Sequence, residues 1–240
     1  MAKILSVDAA GKGLSLAVVE GDRLIASCCL NVGLTHSERL LPMLQALLSG
    51  AGLTLADMDL VAVTNGPGSF TGLRIGLATA KGLAEGQGLP LLPVGTLEAE
   101  AYAVRQMGAF ICPVLDARRN EVYTALYAPD GAEIWPPMAL SLSDLADRLR
   151  EFLAASADIK QVIFVGDAAE IYINQMRAEL GEAARIAPPE KRLFGAFGAA
   201  FIAQERPEDA LPPERVEAFY LRLSEAERNR LAKMKAEGQA

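Results

Sequence analysis

The stretch Thr64-Asn65-Gly66-Pro67-Gly68-Ser69-Phe70-Thr71-Gly72-Leu73-Arg74-Ile75-Gly76 follows an apolar strand, Leu60-Val61-Ala62-Val63, and turns through Gly and Pro into a helix over about 71–86. Gly72, Gly76, Ala80 and Ala84 recur every fourth residue and so share one side of that helix. A helical Gly costs about 1 kcal/mol relative to Ala, so a row of small residues marks the close approach of another backbone. Close packing inside one domain and docking of a partner helix are both open at this point. A phosphate loop is not. Counting from Gly66, Thr71, Gly72 and Leu73 stand where Gly, Lys and Ser/Thr are required. Ser69 and Thr71 read as helix caps.

Upstream of this stretch, Ile4 to Asp8 reads as a buried strand ending on a carboxylate, and Leu14 to Val19 as a second strand. A hairpin signal at Gly21-Asp22 leads to a third, Leu24 to Leu30. Thr35 with Glu38 suggests a capping box before a helix over about 36–49 that carries Leu40, Leu41, Leu44, Leu47 and Leu48. Pro42 is expected to kink that helix or delay its start. Downstream, Leu89 to Val94 is the next strand.

The second half repeats the order. Phe110 to Asp116 again runs apolar into Asp, Val122 to Tyr127 follows, and Pro129-Asp130-Gly131 supplies the turn. Ser143 is expected to cap a helix with Leu145, Leu149, Phe152 and Leu153, before strand Val162 to Val165 and the turn Gly166-Asp167. Setting Asp8 on Asp116 puts Ala9 on Ala117, Leu14 on Val122 and Val18 on Leu126. The repeat predicts an α/β protein of two related units, 1–108 and 109–206, with mixed sheets and helices on their faces. Residues 207–240 form a C-terminal loop and helix or tail, with Ser224 and Glu227 as a further capping pair.

Composition narrows the function classes. Hydrophobic residues make up 51%, enough for a substantial core. With 23 Lys and Arg against 30 Asp and Glu, net charge is −7, and no basic run marks a stand-alone nucleic-acid binder. Cys28, Cys29 and Cys112 form no disulfide framework. No apolar run reaches the length of a membrane span. The expectation is a cytosolic protein.

Asn65 to Gly76, Ala80-Lys81-Gly82-Leu83-Ala84, Asp116-Ala117-Arg118-Arg119-Asn120-Glu121-Val122-Tyr123, Val165-Gly166-Asp167 and Tyr220-Leu221-Arg222 together resemble the TsaB (YeaZ) family. The paired Asp-ended units resemble the wider actin-like (ASKHA, ribonuclease H-like) ATPase fold. This resemblance implies a non-catalytic subunit of the machinery that makes N6-threonylcarbamoyladenosine in tRNAs reading ANN codons. It further implies TsaD as heterodimer partner, TsaE as a further component, self-association without TsaD, and tRNA contact only through the complex. Docking would run through the first two helices, with Leu40, Leu44, Leu47, Gly72, Leu73, Gly76, Leu77 and Ala80 at the partner interface. Gly76→Leu is then expected to abolish pairing and spare the fold.

The fold's nucleotide cleft would lie at Asp8, Gly11, Asp116 and Gly166. Its first turn, Ala9-Ala10-Gly11-Lys12-Gly13, carries no hydroxyl. The resemblance therefore implies no resident cofactor, and at most a weak or interface-dependent hold on ATP or ADP. Thr96 and Glu100 stand where the catalytic paralogue carries a metal-binding His pair, and His36 is the chain's only histidine, so no metal is expected. Arg118 and Arg119 read either as a solvated hairpin tip or as a contact to nucleotide, tRNA or a partner. An ATP-dependent phosphotransferase or ATPase of the same fold, a metallopeptidase and a homodimeric structural protein are the competing expectations.

Overall fold

The computed structural model describes residues 1–33 and 35–222. The expected capping pair Ser224 and Glu227 lies outside them. In chain order the elements are β1 (Lys3–Asp8), β2 (Leu14–Glu20), β3 (Arg23–Leu30), α1 (His36–Ala51), β4 (Leu60–Gly66), α2 (Phe70–Gln87), β5 (Leu91–Gly95) and α3 (Thr96–Tyr102). Then come β6 (Phe110–Asp116), β7 (Glu121–Tyr127), β8 (Glu133–Ser141), α4 (Leu142–Ala155), β9 (Val162–Val165), α5 (Ala169–Leu180), β10 (Ala184–Ile186) and α6 (Gly195–Glu205).

Two mixed sheets result, ordered β3-β2-β1-β4-β5 and β10-β9-β6-β7-β8. Within each, the first strand pairs antiparallel with the second and parallel with the fourth. The first strands are apolar on both sides, apart from the buried Ser6, because both sheet faces are covered. Successive side chains alternate sides: Leu5, Val7, Val61 and Val63 face the cluster under α1 and α2, whereas Ile4, Leu60 and Ala62 face the one under α6. On the second sheet, α4 and α5 cover one face and α3 contributes Leu97 and Ala101 to the other.

The helix stripes go inward. Leu40, Leu44, Leu47, Leu77 and Ala80 are buried in the first sheet's own core, and Leu73 is as fully enclosed. Each buried Leu contributes about 1.5–3 kcal/mol, and the fold alone secures that gain. The small-residue row on α2 answers to the β1–β2 turn. A Cβ at Gly72 would collide with the Ala9 carbonyl, and one at Gly76 would lie 3.2 Å from Ala9 Cβ. The expectation that association buries these eight side chains is therefore corrected: the sheet already does. Gly76→Leu is expected to strain the fold itself before any association.

Three local expectations also change. Thr35 occupies the N-cap of α1 but its side chain makes no capping bond; its carbonyl accepts from the Glu38 N–H instead. Pro42 sits inside α1, which starts at His36 regardless. The α4 cap is Ser141, whose Oγ accepts from the Asp144 N–H at 3.1 Å, not Ser143. Ser69 caps α2 as expected, accepting from the Gly72 N–H.

The unit expected over 109–206 includes α6 (Gly195–Glu205), which does not pack on the second sheet. Helix α6 crosses back to the first sheet and packs Ala196, Ala199, Ile202 and Ala203 on its inner face. It meets α3 backbone to backbone, since a Cβ at Gly198 would collide with the Ala99 carbonyl. Residues 216–222 then return along the first half. The Phe219 N–H donates to the Asn65 carbonyl at 2.7 Å and Tyr220 lies against Phe70 with ring centroids 5.0 Å apart.

Candidate functional site

Two surfaces concern the expected site residues: a cleft between the sheets, and the outward side of α1 and α2.

The cleft, about 730 Å³, opens where the β1–β2 and β6–β7 turns face each other. Lys12, Arg118, Arg119 and Arg222 line it against Asp116 and Asp167, so its rim is cationic on a chain of net charge −7. Arg118, Arg119 and Asn120 all hold positive φ, between 56° and 63°, a region unfavourable to side-chain-bearing residues. That turn brings both arginines to the cleft wall. Tyr220 and Arg222 form another wall, tied across to the second sheet by the Arg222–Glu121 ion pair at 2.5 Å.

Of the four residues expected here, Gly11 and Asp116 line the cleft, and Asp8 and Gly166 do not. Asp8 lies beneath it as a structural tie. Its Oδ1 accepts from the Thr64 hydroxyl at 2.6 Å and the Ala10 N–H at 3.1 Å, and its Oδ2 from the Ser15 hydroxyl at 3.3 Å. Burial raises its pKa, and these three bonds pull the other way. Gly166 ends β9 at φ 99°, where a Cβ would press on the Val114 carbonyl at 2.6 Å.

The residue that sequence reasoning did not single out is Asp167. Its Oδ2 accepts from the Lys12 N–H at 2.8 Å and its Oδ1 from the Asp116 N–H at 3.0 Å. Lys12 Nζ points to Asp116 at 3.4 Å. Burial raises the pKa of Asp167 against the two N–H donors, which lower it. The Val165-Gly166-Asp167 motif was the available signal, but nothing local says which N–H groups the carboxylate reaches.

Thr96 and Glu100, at the expected histidine positions, are both buried. Thr96 Oγ1 accepts from the Gly66 N–H at 3.1 Å. Glu100 has an Oε2 without a hydrogen-bond partner, and burial followed by the charges of Asp8 and Asp167 pushes its pKa well up. Among the described residues no three His, Cys, Asp or Glu side chains converge as a metal site requires. His36 stands at the start of α1, its Nε2 3.0 Å from the Gly11 carbonyl. Burial pushes the Cys29 thiol up to about 11, far from a reactive thiolate.

On the outward side of α1 and α2 small and apolar exposed residues stand among the charged Glu38, Arg39, Arg74 and Glu85. Leu41 is 55% exposed, beside Pro42 and Ala46 on α1, and Ala78, Gly82 and Gly86 are exposed on α2. A Cβ at Gly82 or Gly86 would meet nothing. This second four-residue row was present in the sequence beside the buried one, and only the sheet decides which row faces in. Among the described residues no helix is long and apolar enough to cross a membrane.

Known proteins carry the same fold and order of elements. Residues 32–187 match the family described as TsaD: tRNA N6-adenosine threonylcarbamoyltransferase. The tRNA threonylcarbamoyladenosine biosynthesis protein TsaB of Bacillus subtilis is 30% identical over 93% of this chain and 96% of its own length. Its Escherichia coli namesake is 41% identical over 55% of this chain and 58% of its own. The solved YeaZ structure from Pseudomonas aeruginosa superposes with TM-score 0.73 at 26% identity, covering 92% of this chain and all of that one. Component A of (R)-2-hydroxyglutaryl-CoA dehydratase from Acidaminococcus fermentans shares the fold alone, at TM-score 0.56 and 13% identity over 87% of this chain and all of its own. Two mixed sheets around a cleft make this an α/β protein of the actin-like ATPase-fold class. Within that class, the chain belongs to the TsaB (YeaZ) family.

Proposed function

We propose that this chain is the non-catalytic scaffold of the assembly that forms N6-threonylcarbamoyladenosine in tRNAs reading ANN codons, docking TsaD through the outward side of α1 and α2. The observation that carries this reading is the exposed row Ala78, Gly82 and Gly86 beside Leu41 and Ala46. Small residues let two helix backbones approach closely, and a neighbouring Leu gives the contact an apolar anchor. The names of the Bacillus and Escherichia relatives supply the pathway.

Under the same reading, TsaE joins the complex, tRNA is engaged through the assembly, and the chain pairs with itself by the same helices when TsaD is absent. The two sheets are duplicated actin-like units, and the protein works in the cytosol without a resident cofactor. Thr96 and Glu100 support a non-catalytic role. The first is spent on a backbone N–H, and the second is a buried carboxyl rather than an imidazole open to a metal.

Size-exclusion chromatography with light scattering, alone and with the same organism's TsaD, tests the proposal. A one-to-one heterodimer that Gly82→Arg and Leu41→Asp dissolve supports it. A heterodimer that neither substitution weakens overturns the assigned surface, and no association with TsaD overturns the scaffold role.

A further inference from the structure

The actin-like fold implies a nucleotide whose phosphates lie between the two hairpin turns. The residues here do not fit one. In the cleft floor the Lys12 N–H from the first turn and the Asp116 N–H from the second sheet both point at one acceptor, the Asp167 carboxylate, at 2.8 and 3.0 Å. The carboxylate is pressed close to the turn. A Cβ on Gly11 would come within 3.1 Å of its Oδ2, so the glycine keeps the turn close to Asp167 without crowding. The nearest cation, Lys12, has its ammonium 3.4 Å from a second carboxylate, Asp116. Asp8, below, has its oxygens engaged by Thr64, Ser15 and the Ala10 N–H.

We propose that Asp167 is the chain's own anionic occupant of the place between the turns. It latches the first turn to the second sheet and closes the cleft floor to phosphate-bearing ligands. A carboxylate and a phosphate oxygen compete for the same N–H donors. Two anions cannot share that pair of donors without strong repulsion. The latch has a second consequence. Lys12 and Asp167 are 155 residues apart in sequence, and the bond between them joins the two halves across the cleft. The proposal does not depend on TsaD docking, which is assigned to the outward side of α1 and α2.

Removing the carboxylate should turn the floor into an anion site. The full-length chain, Asp167→Ala and Asp167→Asn are titrated calorimetrically with sodium tripolyphosphate, and amide exchange at Lys12 and Asp116 is followed by NMR. Asp167→Ala is expected to bind tripolyphosphate at least about tenfold more tightly than the unmodified chain, a free-energy change of about 1.4 kcal/mol. Exchange at the two amides should rise on substitution and fall again when tripolyphosphate is added. Asp167→Asn keeps the shape and removes the charge, so it decides the matter if the Ala variant does not fold; its affinity should also exceed that of the unmodified chain. A folded variant with unchanged tripolyphosphate affinity overturns the proposal. So does an unmodified chain that already binds as tightly as its variants. Loss of TsaD binding with these outcomes intact would count against the proposed function alone.

Discussion

The two outer helix pairs, α1 with α2 and α4 with α5, cover equivalent faces of sheets with the same strand order, yet their outward sides differ in chemistry. Across α4 and α5, Arg150 bridges Asp147 at 2.5 Å and Glu179 at 2.7 Å, and exposed Asp144, Arg148, Glu151, Glu170 and Arg177 add to a solvated charged surface. Across α1 and α2 the exposed set includes Leu41, Pro42, Ala46, Ala78, Gly82 and Gly86, with the exposed charged side chains fewer than on α4 and α5 and confined to Glu38, Arg39, Arg74 and Glu85. Burial inside the fold is the same in both cases. What separates them is the face that the fold leaves over, where Gly82 and Gly86 cost α2 helix stability without filling any contact inside the chain.

The contrast can be broken from the inside first. Gly72→Ala or Gly76→Leu forces atoms into the β1–β2 turn, and a loss of about 3 kcal/mol or more is expected, read by urea unfolding. Next is the outer row. Gly82→Arg should weaken TsaD association by about 2–4 kcal/mol while raising helix stability by up to about 1 kcal/mol. Ile171→Arg, on the equivalent exposed side of α5, should leave association unchanged. Equal losses from both would erase the distinction between the two helix pairs.

A third prediction concerns the layer between the sheets. Glu100 has a folded-state pKa raised by burial and by Asp8 and Asp167. The folded state then holds its proton more tightly than the unfolded chain does, so this group lowers stability as pH rises above the ordinary carboxylate range. Glu100→Gln should therefore match the unmodified chain in acid and become progressively more stable than it towards neutral pH. Thermal unfolding across that range is the check. The smallest effect is expected for Arg150→Ala, whose exposed ion pairs are screened by salt. Any fall in Tm should vanish at about 0.5 M salt.

Much of the architecture was legible because covered strands must be apolar and each strand end carries a marker. Asp8 and Asp116 end equivalent strands, and the turns at Gly21 and Gly131 fall where the sequence puts them. The orientation of α2 was not legible. Gly72/Gly76/Ala80/Ala84 and Ala78/Gly82/Gly86 are rows of the same kind, and spacing alone cannot rank them. The return of α6 was hidden for a similar reason, because a helix rich in Ala and Gly on several sides names no neighbour. The cleft residues divided likewise: Gly11 and Asp116 were visible as turn and strand-end signals, whereas the reach of Asp167 depends on two elements far away in sequence. The Thr35 cap failed because a permissive residue type does not ensure a bond.

The return of α6 also sets an order of events during synthesis. The inner face of the first sheet, with Ile4, Ala17, Val19 and Ala62, has only Ala99 and Tyr102 of α3 against it until residues 195–205 have left the ribosome. The first half is therefore made early but completed late. Until α6 is made, one apolar face of the first half is only partly covered, and a helix that follows both sheets in the chain completes it.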